Sequence, residues 1–488
     1  MAQTGSDNSK ERKMIEKREF YIDGKWVAPA TRNDFHVIDA ATEEACAVIS
    51  LGSKPDVDKA VAAARRAFPK WSATSLDHRL GLVRRLHEIM VRRLPETGAM
   101  ISLEMGAPID MAISSQAACG PWHVEGFLEA AEGFKWEWER PGRNERILRE
   151  PIGVCGMITP WNWPANQIAL KVIPALITGC TMVLKPSEIA PLSGIDFAEM
   201  MHEAGFPAGV FSLVNGDGAG VGTAMSAHPD IDLMSFTGSA RAGILVTKAS
   251  AETIKRVSLE LGGKSPNIVF ADSDLDQAIA RGVAHCFDNT GQSCNAPTRM
   301  LVERTVYDEA VRLAVHHGAK TKVGSPREHG DHMGPLSSKA QFMKVQELIQ
   351  AGVDEGARLV LGGPGRPDGF NRGWYARPTI FADVHNGMRI AREEIFGPVM
   401  VMIPFGEEDE AVEIANDTPY GLAAYIQTQN KEKAHRVGRQ LRAGMVRING
   451  AGLSMGHPFG GYKQSGNGRE GGIWGLDEFL ETKIVGGW

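Results

Sequence analysis

Between Val154 and Leu259 short apolar runs alternate with helix-like stretches, and this alternation constrains the fold more than any other feature of the chain. The runs are Val154–Thr159, Thr181–Leu184, Val210–Val214, Leu233–Thr237 and Arg256–Leu259, with Ala165–Ile177 and Leu192–Ala204 between them. Strand–helix alternation of this kind predicts a parallel sheet with crossover helices. Such sheets bind ligands beyond the carboxyl ends of their strands. A second α/β stretch follows from Ser265 to Phe405, with strand candidates Asn267–Phe270, Met300–Val302 and Val399–Pro404. Upstream, Val57, Ala60, Val61, Ala64 and Phe68 fall at helical spacing. A further helix is expected over Leu76–Leu94, broken or restarted by Pro95. The charged, Trp-bearing segment Phe134–Glu150 interrupts the first sheet. The tail Thr482–Trp488 reads as an edge strand in search of a partner, for which that segment is a candidate.

Composition narrows the function classes. A chain of 488 residues with 43% hydrophobic and 23% charged residues buries a large core without staples. The net charge of -6 and the absence of a long basic run argue against nucleic acid as a partner. The first dozen residues are charged and lack an apolar stretch, so they read as a solvated tail and not as a secretory signal. The apolar stretch Ile168–Leu184 is interrupted by Lys171, Pro174, Gly179 and Cys180, too broken to span a bilayer. These features point to a cytoplasmic protein with no membrane partner. The six cysteines form no CxxC pair and no Cys/His cluster, so no metal site is expected.

Several short strings carry candidate chemistry. In Gly291–Thr298, GQSCNAPT, Cys294 sits in a small polar loop, where an inert thiol and a nucleophile are both open readings. In LELGGKSP, Glu260 follows the Arg256–Leu259 run at a strand end, as a base in a cleft or a solvated cap. In TPWNWP, Asn162 is held between Trp161 and Trp163, as an oxyanion donor or a turn residue. In VLKPSE, Lys185 and Glu188 follow a strand, as ribose contacts or a surface ion pair. The string NGDGAGVG at Asn215–Gly222 fails the G-x-G-x-x-G pattern, because Val221 and Thr223 stand where the third Gly belongs. A tight turn is the simpler reading.

The order TPWNWP, LKPSE, FTGS, LELGGKSP, GQSC, EEIFGP and PFGGYKQSGNGRE strongly resembles the aldehyde dehydrogenase superfamily, from about Phe20 to the last few residues. The resemblance implies an α/β chain with two Rossmann-like domains and a small β oligomerisation arm. The NAD-binding domain would span 14–128 and 148–261, the catalytic domain 262–462, and the arm 129–147 with 463–488. Relatives are typically homodimers or homotetramers. By the same resemblance Cys294 is the nucleophile, Glu260 the general base and Asn162 the oxyanion-hole amide. Thr159, Pro160, Trp161, Lys185, Ser187, Glu188, Gly218, Gly222, Phe236, Thr237, Gly238, Ser239, Leu261, Glu394 and Phe396 would contact the cofactor. Trp163, Leu170, Ser293, Asn295 and Leu453 would line the aldehyde tunnel.

The chemistry implied is attack of Cys294 on an aldehyde, hydride loss to NAD, and hydrolysis of the resulting thioester with Glu260 activating water. The carboxylate at position 260 favours water over coenzyme A as acyl acceptor. Glu188 favours NAD, while Lys185 tolerates the extra phosphate of NADP, the less favoured cofactor. Leucines at 170 and 453, and no evident Arg or Lys for a distal carboxylate, lead to the expectation of a medium-length apolar aliphatic, alicyclic or aromatic aldehyde. A semialdehyde dehydrogenase and a non-catalytic NAD-binding relative are the alternatives.

Overall fold

The computed structural model describes residues 14–488; the N-terminal tail discussed above lies outside the described residues. Among these residues the middle of the chain forms an eight-stranded sheet. From one edge it runs Gly466–Asn467, Arg256–Leu261, Leu233–Gly238, Val154–Ile158, Thr181–Lys185, Phe211–Leu213, Phe20–Ile22 and Lys25–Val27. The strands from Arg256–Leu261 across to Phe211–Leu213 pair in parallel. Their carboxyl ends therefore share one edge, and the strand order reverses at Val154–Ile158, a topological switch point.

The crossover helices begin and end where local chemistry requires. Pro164 opens the helix Pro164–Thr178, and Gly179 closes it at φ 96°. Almost every residue of this helix is buried, as befits one packed on both sides. The helix Leu192–Ala204 has a remote cap. The Glu104 carboxylate accepts from the Leu192 and Ser193 backbone N–H groups. The upstream helix stops at Arg92 and restarts as Leu94–Met105 with Pro95 in its first turn.

The second sheet has seven strands among the described residues, in the order Arg358–Leu361, Thr379–Ala382, Val399–Phe405, Arg299–Glu303, Pro266–Val269, Ala423–Gln427 and Met445–Ile448. All of its pairings are parallel except the first. The two Rossmann-like units join directly, because Arg256–Leu261 ends the first sheet and Pro266–Val269 starts the second.

A small antiparallel sheet joins Glu137–Glu139, Glu145–Pro151 and the C-terminal Leu480–Gly486. The segments expected to form the arm divide differently. Residues up to Gly133 belong to the helix Cys119–Gly133. Gly466–Asn467 pairs with the first large sheet, and the helix Gly472–Glu478 packs on the helices beneath it. No helix among the described residues is long and apolar enough to cross a membrane.

Candidate active site

Glu260 is the penultimate residue of its strand, paired with Thr237 on one side and Gly466 on the other. Its side chain is buried, and neither carboxylate oxygen has a hydrogen-bond partner among the described residues. Burial, reinforced by the nearby Glu470, pushes the Glu260 carboxyl well up, while Lys171 and Arg469 pull it down. Lys171 Nζ donates to Glu470 Oε1 at 2.7 Å and to Ser235 Oγ at 3.1 Å, entirely inside the protein. Sequence reasoning missed this pair. Lys171 was visible only as an interruption of an apolar run, and Glu470 only as the end of a motif.

The Cys294 loop is held from several sides. Asn289 and Thr290 both adopt the left-handed region, at φ 50° and 57°, a strain that the surrounding contacts must hold in place. Gln116 Nε2 donates to Asn289 Oδ1, and Thr290 Oγ1 donates to Gly334 O. Ser337 N donates to Gln292 Oε1, and Tyr425 Oη donates to Asn295 O at 2.8 Å. A Cβ on Gly263 would lie 2.7 Å from Cys294 O, so the loop packs on bare backbone of the LELGG turn. Gly262 faces a side chain instead, its Cβ position lying 2.3 Å from the Glu394 carboxylate. Burial, then the carboxylates of Glu260, Glu394 and Glu470, push the Cys294 thiol far up. The chain's own residues thus disfavour the thiolate, which needs a base or added positive charge beside it.

Asn162 is buried on the loop leaving Ile158, and its Nδ2 donates to Gln292 O at 2.9 Å. Asn289 Nδ2 donates back to Asn162 O at 3.0 Å. Strand ends beside it carry the other expected positions. Thr159, Pro160 and Trp161 follow Ile158; Lys185 ends its strand, and Ser187 and Glu188 come next. Phe236, Thr237 and Gly238 end another strand, and Leu261 a further one. Ser239 caps the helix Ala240–Ser250, its Oγ accepting from Ala242 N. Gly218 and Gly222 bound a single wide helical turn, capped by Asp217 accepting from Gly220 N. Across the cleft Glu394 Oε1 accepts from Gly263 N at 2.9 Å, and the Phe396 ring meets Trp161 edge-to-face at 5.4 Å.

This edge fits a dinucleotide. Lys185 Nζ is spent on Gly216 O, Pro186 O and Glu188 Oε2, leaving the half-buried Glu188 carboxylate as an acceptor. The Thr237 hydroxyl is buried without a partner among the described residues, two positions before the Ser239 cap of the Ala240–Ser250 helix, whose N-terminus favours phosphate.

A cavity of about 260 Å³ borders the nucleophile loop at Asn295. Leu170, Asn295 and Leu453 line it, with Trp122, Met445 and Phe459. Trp163 and Ser293 are not in its lining; Trp163 Nε1 donates to Ser293 Oγ at 2.9 Å. Arg447 is also part of this wall, together with His123 and His457. These residues belong to no motif and come from distant segments.

Comparison with known proteins identifies the family. The profile of the aldehyde dehydrogenase family matches residues 26–485. A 3-succinoylsemialdehyde-pyridine dehydrogenase from a Pseudomonas species is 53% identical over 97% of this chain and 99% of its own. An aldehyde dehydrogenase structure from Bartonella henselae superposes with a TM-score of 0.96 at 56% identity, covering 97% of this chain and 100% of that one. A mutant of aldehyde dehydrogenase C from Pseudomonas syringae, solved with NAD+ and octanal, gives 0.95 at 50% identity, covering 96% of both chains. With its family profile matched almost end to end and its fold shared with solved relatives, this chain belongs to the aldehyde dehydrogenase family.

Proposed function

We propose that the protein oxidises an aldehyde to its carboxylic acid with NAD as cofactor, using Cys294 as nucleophile, Glu260 as general base and Asn162 as an oxyanion donor. The observation that carries the reading is the approach of the Cys294 loop to the strand bearing Glu260. Cys294 O packs against Gly263, and the unpartnered Glu260 carboxylate acts on the thiol through space.

In this mechanism Cys294 Sγ attacks the carbonyl carbon. The negative oxygen is held by the Asn162 amide and the Cys294 backbone N–H, a type of contact whose loss costs about 10²–10³ in rate. Glu188, Ser239 and Glu394 would hold the dinucleotide, with Lys185 fixing Glu188 from within the protein, and when bound it would supply the hydride acceptor and added positive charge. A buried carboxylate with raised affinity for protons is a stronger base, so Glu260 draws a proton from water. Once the adduct on Cys294 has given up its C–H as hydride to the acceptor, it is a thioester, which that water cleaves to free the acid and the Cys294 sulfur. The Lys171–Glu470 pair sets the field around Glu260. NAD as cofactor is supported by the relatives from P. syringae and Staphylococcus aureus solved with NAD+, and the Glu188 carboxylate argues against a 2′-phosphate.

The aldehyde is of medium size, its carbon chain packed on Leu170, Met445, Leu453 and Phe459. Both octanal in the P. syringae complex and the semialdehyde in the Pseudomonas relative's name are of that order. The first-sheet unit binds cofactor, the second carries the nucleophile, and the small sheet serves as the arm of a homodimer or homotetramer. Exposed Ile244, Leu245 and Ile254 supply further apolar contact surface.

The test is NADH formation at 340 nm with NAD and an aldehyde panel. The parent turns over, Cys294→Ala does not, and Glu260→Gln gives a single-turnover burst. Absence of NADH from the parent with every aldehyde, despite NAD binding, would overturn the reading.

A further inference from the structure

The wall of the cavity beyond Cys294 is uneven in chemistry. Its carbon-lined part adjoins the nucleophile, where Tyr425, Ala423 and Met445 form one cluster with Cys294 and Phe459 packed against it. Its polar part carries His123, Asn166, Arg447 and His457, and the lining contains neither Asp nor Glu. Arg447 is half-buried and pairs with no carboxylate among the described residues. Its Nε donates to Ala451 O at 2.7 Å, and its guanidinium lies 6.0 Å from the Tyr425 ring centroid. A partly desolvated guanidinium without a counter-charge is costly unless another acceptor meets it.

Asn166 presents the same kind of vacancy for an acceptor. Its Oδ1 accepts from His123 Nε2 at 2.6 Å, which leaves the two Nδ2 hydrogens with no partner among the described residues. Burial holds His123 neutral, pushed down to about 4, so Arg447 is the fixed charge of this wall. His457 Nδ1 donates to Ser454 O at 2.8 Å. The polar part is connected to the nucleophile loop, since Tyr425 beneath Arg447 also holds Asn295 O.

We propose that this wall selects aldehydes carrying a hydrogen-bond acceptor several bonds from the reacting carbonyl, with Arg447 and the Asn166 amide reading that acceptor. The inference rests on the aldehyde-oxidising reading above and deepens it. The shared chemistry of the ligand is an electron-rich oxygen or nitrogen at the tail, either a neutral ketone or ring nitrogen or a carboxylate. An unsubstituted alkyl tail leaves Arg447 and Asn166 unanswered.

The experiment compares kcat/KM of the full-length enzyme with NAD across two chain-matched sets. One is pentanal, 4-oxopentanal and 5-oxopentanoate; the other is heptanal, 6-oxoheptanal and 7-oxoheptanoate. A hydrogen bond to a charged group predicts a preference of about tenfold or more for an acceptor-bearing member in at least one set. The ketone and carboxylate arms identify which acceptor is read. Arg447→Gln should reduce that preference ratio by about fivefold or more, and Arg447→Lys should retain it for the carboxylate. The ratio is taken within each enzyme, so a general loss of activity does not mimic the effect. Turnover of the alkanals as good as that of their acceptor-bearing counterparts in both sets, or an unchanged ratio in Arg447→Gln, overturns this proposal and leaves aldehyde oxidation standing. No NADH from any aldehyde overturns both.

Discussion

The Lys171 ammonium and the Glu470 carboxylate meet at 2.7 Å with both side chains shut away from solvent, and both act on the unpartnered carboxylate of Glu260. Lys171 lowers the proton affinity of Glu260 and Glu470 raises it. The pair therefore joins the packing of the first sheet to the base proposed for hydrolysis.

Removing either member should move the pH dependence in opposite directions. Glu260 acts as a base only when deprotonated, so the hydrolytic rate rises with pH through its titration. Lys171→Met removes a lowering charge and should shift that rise to higher pH. Glu470→Gln removes a raising charge and should shift it to lower pH. Lys171→Met also strands a buried carboxylate, at a cost of about 3–5 kcal/mol in unfolding free energy. Steady-state pH profiles and denaturant unfolding check both parts; shifts of the same sign would refute the electrostatic account.

Asn162→Ala should lower kcat by about 10²–10³ with little change in the NAD dissociation constant. Because Asn162 Nδ2 also supports Gln292 O, Asn162→Asp serves as a second variant that keeps the size of the side chain while replacing the donor. Retention of full kcat in both would remove Asn162 from the oxyanion site.

Glu188 bears on the choice of dinucleotide. Glu188→Gln should weaken NAD binding and raise the ratio of NADP to NAD efficiency, because the charge that repels a 2′-phosphate is gone. Lys185 remains buried beside it, bound to Gly216 O at 2.6 Å. Titration of each dinucleotide by fluorescence measures the ratio, and an unchanged value would place the ribose elsewhere.

Glu104 makes stability depend on pH. Burial pushes its carboxyl up to about 7, so the folded state binds this proton more tightly than the unfolded chain does. The contribution is present in full below the unfolded value near 4.5 and is lost as pH rises through about 7. Glu104→Gln should flatten that part of the stability profile. Glu104→Ala should cost about 1–3 kcal/mol, because the Leu192 and Ser193 N–H groups lose their cap. Thermal melts between pH 5 and 8 decide the matter.

Much of the first sheet was legible because its strands are short apolar runs set off by helices of the right period. Val154–Ile158, Thr181–Lys185 and Leu233–Gly238 lie within a residue of the runs that predicted them. The strands Phe20–Ile22 and Lys25–Val27 at one end of the first sheet and the second-sheet strands Ala423–Gln427 and Met445–Ile448 carried no comparable signal. Phe20–Ile22 finds its place beside Phe211–Leu213, and Ala423–Gln427 beside Pro266–Val269, segments far along the chain.

The sequence by itself determined the chemistry-bearing strings, because Cys294, Glu260 and Asn162 sit in motifs whose local composition is distinctive. Only the tertiary structure decided what surrounds them. Lys171 and Glu470 lie 299 positions apart, and Arg447 reaches the cavity wall from a strand with no motif. The reason is physical: local propensity sets which residues form a strand or helix, but a buried charge finds its partner only when packing removes water from both, and that depends on which segments meet.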